Sequence, residues 1–172
     1  MKNSITCSFL LFTFLAHAQV KNIFDVARKG NLQEIEEIYK KNPDVINTID
    51  EKNSSPLILA SYRGNTVVAL FLADKVKDVN YNSGMGTALM AAVMYGNSAI
   101  VEKLIQAKAN LNLMDQGGKT ALIYATFFNK NDLANLLLKA GADRNIKDID
   151  DRTALDYATF NKNTELIIRL QK

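Results

Sequence analysis

The sequence predicts an all-α solenoid of helix-turn-helix units joined by β-hairpin-like loops, and three columns of residues predict it. Thr87-Ala88-Leu89, Thr120-Ala121-Leu122 and Thr153-Ala154-Leu155 recur every 33 positions, with Ser55-Pro56-Leu57 another 32 upstream. Five positions after each Ser or Thr stands an alanine (Ala60, Ala92, Ala125, Ala158). Thirteen positions after it stands an aliphatic residue (Val68, Ile100, Leu133, Leu166), which recurs four further on as Leu72, Leu104, Leu137 and Leu170. A spacing of four is that of an apolar stripe on one helix face.

The elements follow in order over five copies, approximately 19–49, 50–81, 82–114, 115–147 and 148–172. The first is degenerate: Phe24-Asp25-Val26-Ala27-Arg28-Lys29-Gly30-Asn31 precedes a second helix with Ile35, Ile38 and Tyr39 on one side. The same helix carries Gln33, Glu34, Glu36, Glu37, Lys40 and Lys41, as expected of a polar cap. In the second copy Ser55 is placed to accept a backbone N–H at a helix start, and Pro56 fits the first helical position, where its missing N–H costs nothing. The alanines let neighbouring helices approach closely. Gly30, Gly64 and Gly96 are expected at positive φ between the two helices of their copies. Second helices follow in Val68-Phe71-Leu72 and in Ile100-Val101-Leu104-Ile105. Ser83-Gly84-Met85-Gly86 and Gly117-Gly118 mark hairpin tips and lack the spacing of a phosphate-binding loop. The last copy has Asp151 and Lys162 where glycines stand elsewhere and ends on Arg169, Gln171 and Lys172, a second polar cap.

Asp115-Gln116-Gly117-Gly118-Lys119-Thr120-Ala121-Leu122, followed by Leu133, Leu137-Leu138 and Gly141-Ala142-Asp143, resembles the ankyrin repeat. The resemblance covers essentially all of 19–172 and implies an ankyrin-repeat solenoid. It also implies a non-catalytic module that binds another protein through a concave groove and needs no cofactor. The helix-start histidine of the family is replaced by Ile58, Met90, Ile123 and Asp156, so the hydrogen bonds that histidine makes are expected to be absent.

Of the 172 residues, 48% are apolar and 23% charged, which is globular composition. Residues 1–18 read as a cleavable signal peptide: Lys2 is the basic start, 5–15 the uncharged apolar run, and Ala16-His17-Ala18 the cleavage site, cut after Ala18. The apolar run falls well short of the roughly 20 residues that span a bilayer. Cys7 and His17, the sole Cys and His, lie within residues 1–18, so 19–172 has no ligand for a Cys/His zinc site, no Ser-His-Asp triad and no Cys nucleophile. The expected metal and cofactor complement is none. A net charge of +3, with no basic cluster beyond Arg28-Lys29 and Lys40-Lys41, argues against a nucleic-acid partner. Asp148, Asp150 and Asp151 form the densest acidic cluster and are expected to be solvated charge at a hairpin tip.

Two positions, seven and eight after the Ser or Thr, fall where such repeats present their partner-binding face. They hold Tyr62 and Arg63, Met94 and Tyr95, Phe127 and Phe128, and Phe160 and Asn161. A row this aromatic points to a binding surface, although the first ring of each pair can equally pack between neighbouring helices. Hairpin residues that join it are Tyr81, Met114, Lys119 and Arg152, with Glu51, Lys52, Ser54, Ser83, Gln116 and Ile149 beside them. Tyr124 and Tyr157 share a column with Leu59 and Ala91 and read as packing residues. The expected partner is another protein, bound by a monomer that is not inserted in a membrane. The chain also looks like small signal-bearing ankyrin proteins of the bacterial envelope. That implies a periplasmic or secreted location and either an accessory role in oxidative-stress protection or an immunity role against a co-encoded toxin. A domain binding an envelope glycan or small ligand is the alternative from a different class.

Overall fold

The computed structural model describes residues 22–172. The signal-peptide reading, with Cys7, His17 and cleavage after Ala18, falls on residues outside these. The described residues form five helix pairs: α1 Ile23–Lys29 with α2 Leu32–Lys41, α3 Pro56–Arg63 with α4 Thr66–Ala73, α5 Ala88–Tyr95 with α6 Ser98–Gln106, α7 Ala121–Phe127 with α8 Asn131–Lys139, and α9 Ala154–Phe160 with α10 Thr164–Leu170. They contain no strand. The odd-numbered helices pack side by side as an inner row and the even-numbered ones as an outer row. A short 3-10 turn, Pro43–Asn47, follows α2 and buries Ile46; no repeated column announces it.

Helices of seven to ten residues are too short to persist alone, so caps and stacking hold them. Ser55, Thr87, Thr120 and Thr153 each accept the backbone N–H three residues on, opening α3, α5, α7 and α9. Asp156 replaces the family histidine with a different device: its carboxylate accepts the Thr153 N–H and completes a capping box. Ala60, Ala92, Ala125 and Ala158 are fully buried on the inner helices. Val68, Leu72, Ile100, Leu104, Leu133, Leu137, Leu166 and Leu170 are buried on the outer row, so the whole stripe is core.

Gly64 and Gly96 end α3 and α5 in the left-handed conformation, at φ +66° and +93°. Gly30 does not: its φ is −81°, in extended backbone. The absence of a side chain there serves close approach, since a Cβ would lie 2.6 Å from Cγ1 of Val26. The left-handed position in the last two copies is held by Asn129 and Lys162 instead.

Two sets of bonds tie each repeat to the next. Oδ1 of Asn47, Asn80 and Asn112 accepts the backbone N–H of Lys77, Asn110 and Asp143 respectively, at 2.7–2.9 Å. At the hairpin tips the N–H of Gln116 reaches the Gly84 carbonyl, and the N–H of Ile149 the Gly117 carbonyl. The tips themselves turn through Gly84, Gly86 and Gly118 at positive φ.

Candidate partner-binding trough

The hairpins run alongside the inner helices, and the ends of α3, α5, α7 and α9 carry the aromatic row. Tyr62, Tyr95, Phe127, Phe128 and Phe160 are all exposed, Phe160 to 83%. The first rings of the pairs, Tyr62, Phe127 and Phe160, therefore do not serve as core between helices, and Met94 is half-buried. Tyr95 lies over the end of α3, so close to Gly64 that a Cβ there would sit 2.1 Å from its ring. Arg63 is exposed, its guanidinium 5.8 Å from the centre of the Tyr62 ring.

Toward the last repeat the rings become contiguous. Tyr124 stacks on Phe128, Phe128 meets Phe127 edge-on at 4.9 Å between centres, and Phe127 meets Tyr157 edge-on at 5.5 Å. The guanidinium of Arg152 caps the Tyr157 ring at 4.9 Å. Phe160 stands apart from these ring contacts, almost fully exposed.

Several predicted site residues have structural duties. Asn161 donates its amide to the carbonyls of Thr126 and Phe127, closing the end of α7. The Tyr81 hydroxyl donates to the Asn53 side chain and carbonyl one repeat back. Met114 is exposed, and its carbonyl accepts the Asn82 amide. The Lys119 ammonium is half-buried, 3.7 Å from Asp148.

Asp148 corrects the expectation of a solvated acidic tip. Its residue is 5% exposed, and its carboxylate accepts from the Tyr157 hydroxyl at 2.5 Å and from the backbone N–H groups of Asp150 and Arg152. Arg152 and Lys119 stand within ion-pair distance. Burial pushes this carboxyl up, but the hydroxyl, the two N–H groups and the Arg152 charge outweigh it and hold it down at about 2. Burial and the same hydrogen bond raise Tyr157 to about 12. Asp150 and Asp151 are the solvated members, paired with Arg152 and Lys147. One repeat earlier the Tyr124 hydroxyl meets Asp115 at 2.5 Å, and burial followed by this bond raises Tyr124 as well. Both tyrosines pack as expected, but their hydroxyls also pin the hairpins to the inner helices. The spacing of nine between Asp115 and Tyr124, repeated by Asp148 and Tyr157, was the available signal.

These arrangements offer a surface of rings, amides and neutralised charge, with the strongest carboxylate held by its own neighbours. No described helix is long and apolar enough to cross a membrane.

The family model described as ankyrin repeats, in three copies, matches residues 23–115 and 89–172. The Ankyrin repeat and SAM domain-containing protein 6 of Rattus norvegicus is 31% identical over 99 residues, 56% of this chain and 11% of that protein. The probable E3 ubiquitin-protein ligase XBOS32 of Oryza sativa subsp. japonica is 30% identical over 106 residues, 60% of this chain and 21% of its own length. The ankyrin repeat domain-containing protein SAT10 of Stachybotrys chartarum is 35% identical over 98 residues, 53% and 5% respectively. This chain thus spans about a fifth or less of the length of each of these relatives. Capped inner helices, buried alanine and aliphatic columns and the family match agree: the chain belongs to the ankyrin repeat family, whose arrays are protein–protein interaction modules.

Proposed function

We propose that this chain is an exported, non-catalytic binding protein that holds another protein in the trough between its hairpins and inner helices. The observation that carries this reading is the exposed row of Tyr62, Tyr95, Phe127, Phe128 and Phe160 on one side of the array. Rings left in water are unfavourable for a free protein, and anchors of this type contribute most of the energy of protein interfaces. Export rests on the basic, apolar and small-residue pattern of 1–18, and places the partner in the periplasm or outside the cell. Assistance to an oxidant-handling enzyme and neutralisation of a co-encoded toxin are the two roles carried by resemblance. The adjacent gene separates them, a catalase or peroxidase favouring the first and a toxin the second.

The test is affinity capture from envelope extract with the protein as bait, beside Tyr95→Asp, Phe128→Asp and Phe160→Asp. Loss of the same captured protein in these variants, each still unfolding cooperatively, is expected. Capture at wild-type affinity by all three overturns the assignment of the surface.

A further inference from the structure

The trough differs in chemistry along its length. Near the last repeat its cations are neutralised: Lys119 faces Asp148, and Arg152 faces Asp148 and Asp150. Near the second repeat a cavity of about 380 Å³ opens between α3, α5 and their hairpins. Its floor is apolar, with Ile58, Leu59 and Met94, and Met85 stands over it, 79% exposed. Lys52 and Arg63 line the same cavity, and among the described residues neither has an ion-pair partner. Asp50 is the carboxylate of this lining, and it is already occupied: Oδ2 by Arg28 at 3.2 Å, Oδ1 by the backbone N–H groups of Lys52 and Ser54. The neighbouring Glu51 does not line this cavity; it lines an adjoining one, toward Asn22 and Phe24, which Lys52 also borders.

We infer that this cavity receives an acidic segment of the partner protein, an aliphatic side chain seated on Ile58, Leu59 and Met94 and flanking carboxylates on Lys52 and Arg63. The inference rests on the trough reading above and adds the chemistry of what the trough takes. A volume at the lower end of ligand pockets admits one side chain with its backbone. An exposed methionine adapts to the shape of that side chain, and Arg63, already against the Tyr62 ring, presents a planar fork that matches a carboxylate. Two free cations at the rim steer an acidic segment and reject a basic one.

The test is selection of a random-peptide library on the immobilised protein, followed by titration of the selected peptide. The expected result is enrichment of Asp and Glu around an aliphatic residue. Binding should weaken with added salt, and it should fall at least about tenfold in the Lys52→Glu, Arg63→Glu double variant. Backbone amide shifts should move at Lys52, Tyr62, Arg63 and Met85. A selected sequence without acidic residues, or equal affinity for the double variant, overturns the inference. So does a short oligothymidine that competes as well as the peptide does, because it assigns the charge to phosphate. Melting curves of the double variant should match the parent, since both side chains lack ion-pair partners among the described residues. If the double variant still captures the envelope partner while Phe128→Asp loses it, this inference fails alone. Capture at wild-type affinity by the double variant and by all three aromatic variants overturns the trough reading as well.

Discussion

The hydroxyl of Tyr157 meets Oδ2 of Asp148 at 2.5 Å inside the last hairpin, and Tyr124 repeats the geometry on Asp115 one copy earlier. In each pair a rigid ring from an inner helix carries a donor to a carboxylate that also organises its loop through backbone N–H groups. The pair therefore couples hairpin shape to helix position.

Tyr157→Phe removes a donor from a carboxylate with no exposure of its side chain. A loss of about 1–3 kcal/mol is expected, together with a rise of the Asp148 titration toward the ordinary carboxylate range. Urea unfolding and carboxyl NMR titration measure the two effects. Tyr124→Phe should be milder because Asp115 and Tyr124 are only half-buried. Equal stability of Tyr157→Phe and the parent would remove the pair from the account of the fold.

The pH dependence follows from the same residues. The Asp148 carboxyl lies at about 2 in the folded protein against an ordinary 3.8, so its contribution is complete above the unfolded value. It is lost as pH falls from about 4 through 2. Tyr157, raised from 10.0 to about 12, contributes fully below 10.0 and loses its contribution as pH rises through 12. Amide exchange should show α9 and α10 opening before the central repeats at both extremes; in Tyr157→Phe the alkaline effect should disappear, and the acid effect should shrink to what the two N–H groups and Arg152 still hold. Uniform opening of all repeats at pH 2.5 would contradict this.

Gly64→Ala combines two penalties, a φ of +66° and a Cβ pressed into the ring of Tyr95. A destabilisation of about 2 kcal/mol or more is expected, relieved in part by Tyr95→Ala in the same chain. The converse substitution, Lys162→Gly, removes strain at φ 56° and should stabilise by about 0.5–1 kcal/mol. A double-mutant cycle in denaturant reads the coupling between positions 64 and 95.

The asparagine bonds supply an internal control. Asn80→Ala and Asn112→Ala each take an acceptor from a neighbouring backbone N–H, at about 0.5–1 kcal/mol. Asn145 stands in the same column, but its side chain bonds to nothing among the described residues, so Asn145→Ala should leave the denaturation midpoint unchanged. An equal effect at all three positions would show that the cost comes from the loop and not from the bond.

The repeat columns were legible because stacking places every copy in the same environment, so Ala60, Ala92, Ala125 and Ala158 face one demand and obey it. Burial of Asp148 was not legible, because a hairpin carboxylate next to Asp150 and Asp151 has the composition of solvated charge. Only its spacing to Tyr157 distinguishes it. Gly30 shows the same limit in reverse: a glycine in the expected place, kept for lack of room beside Val26 and not for its φ. The aromatic row was visible as a column, but exposure within it depends on each neighbour. Met94 is half-buried where its counterparts Tyr62 and Phe127 stand out, and period alone does not convey that.

The bonds from Asn47, Asn80 and Asn112 join only adjacent copies, and nothing in them spans two. Under tension applied at the two termini the array should behave as a string of weak links, surrendering one hairpin pair at a time. Such a molecule yields stepwise under load and recovers stepwise when the load is released, a spring with discrete clicks and no single breaking point.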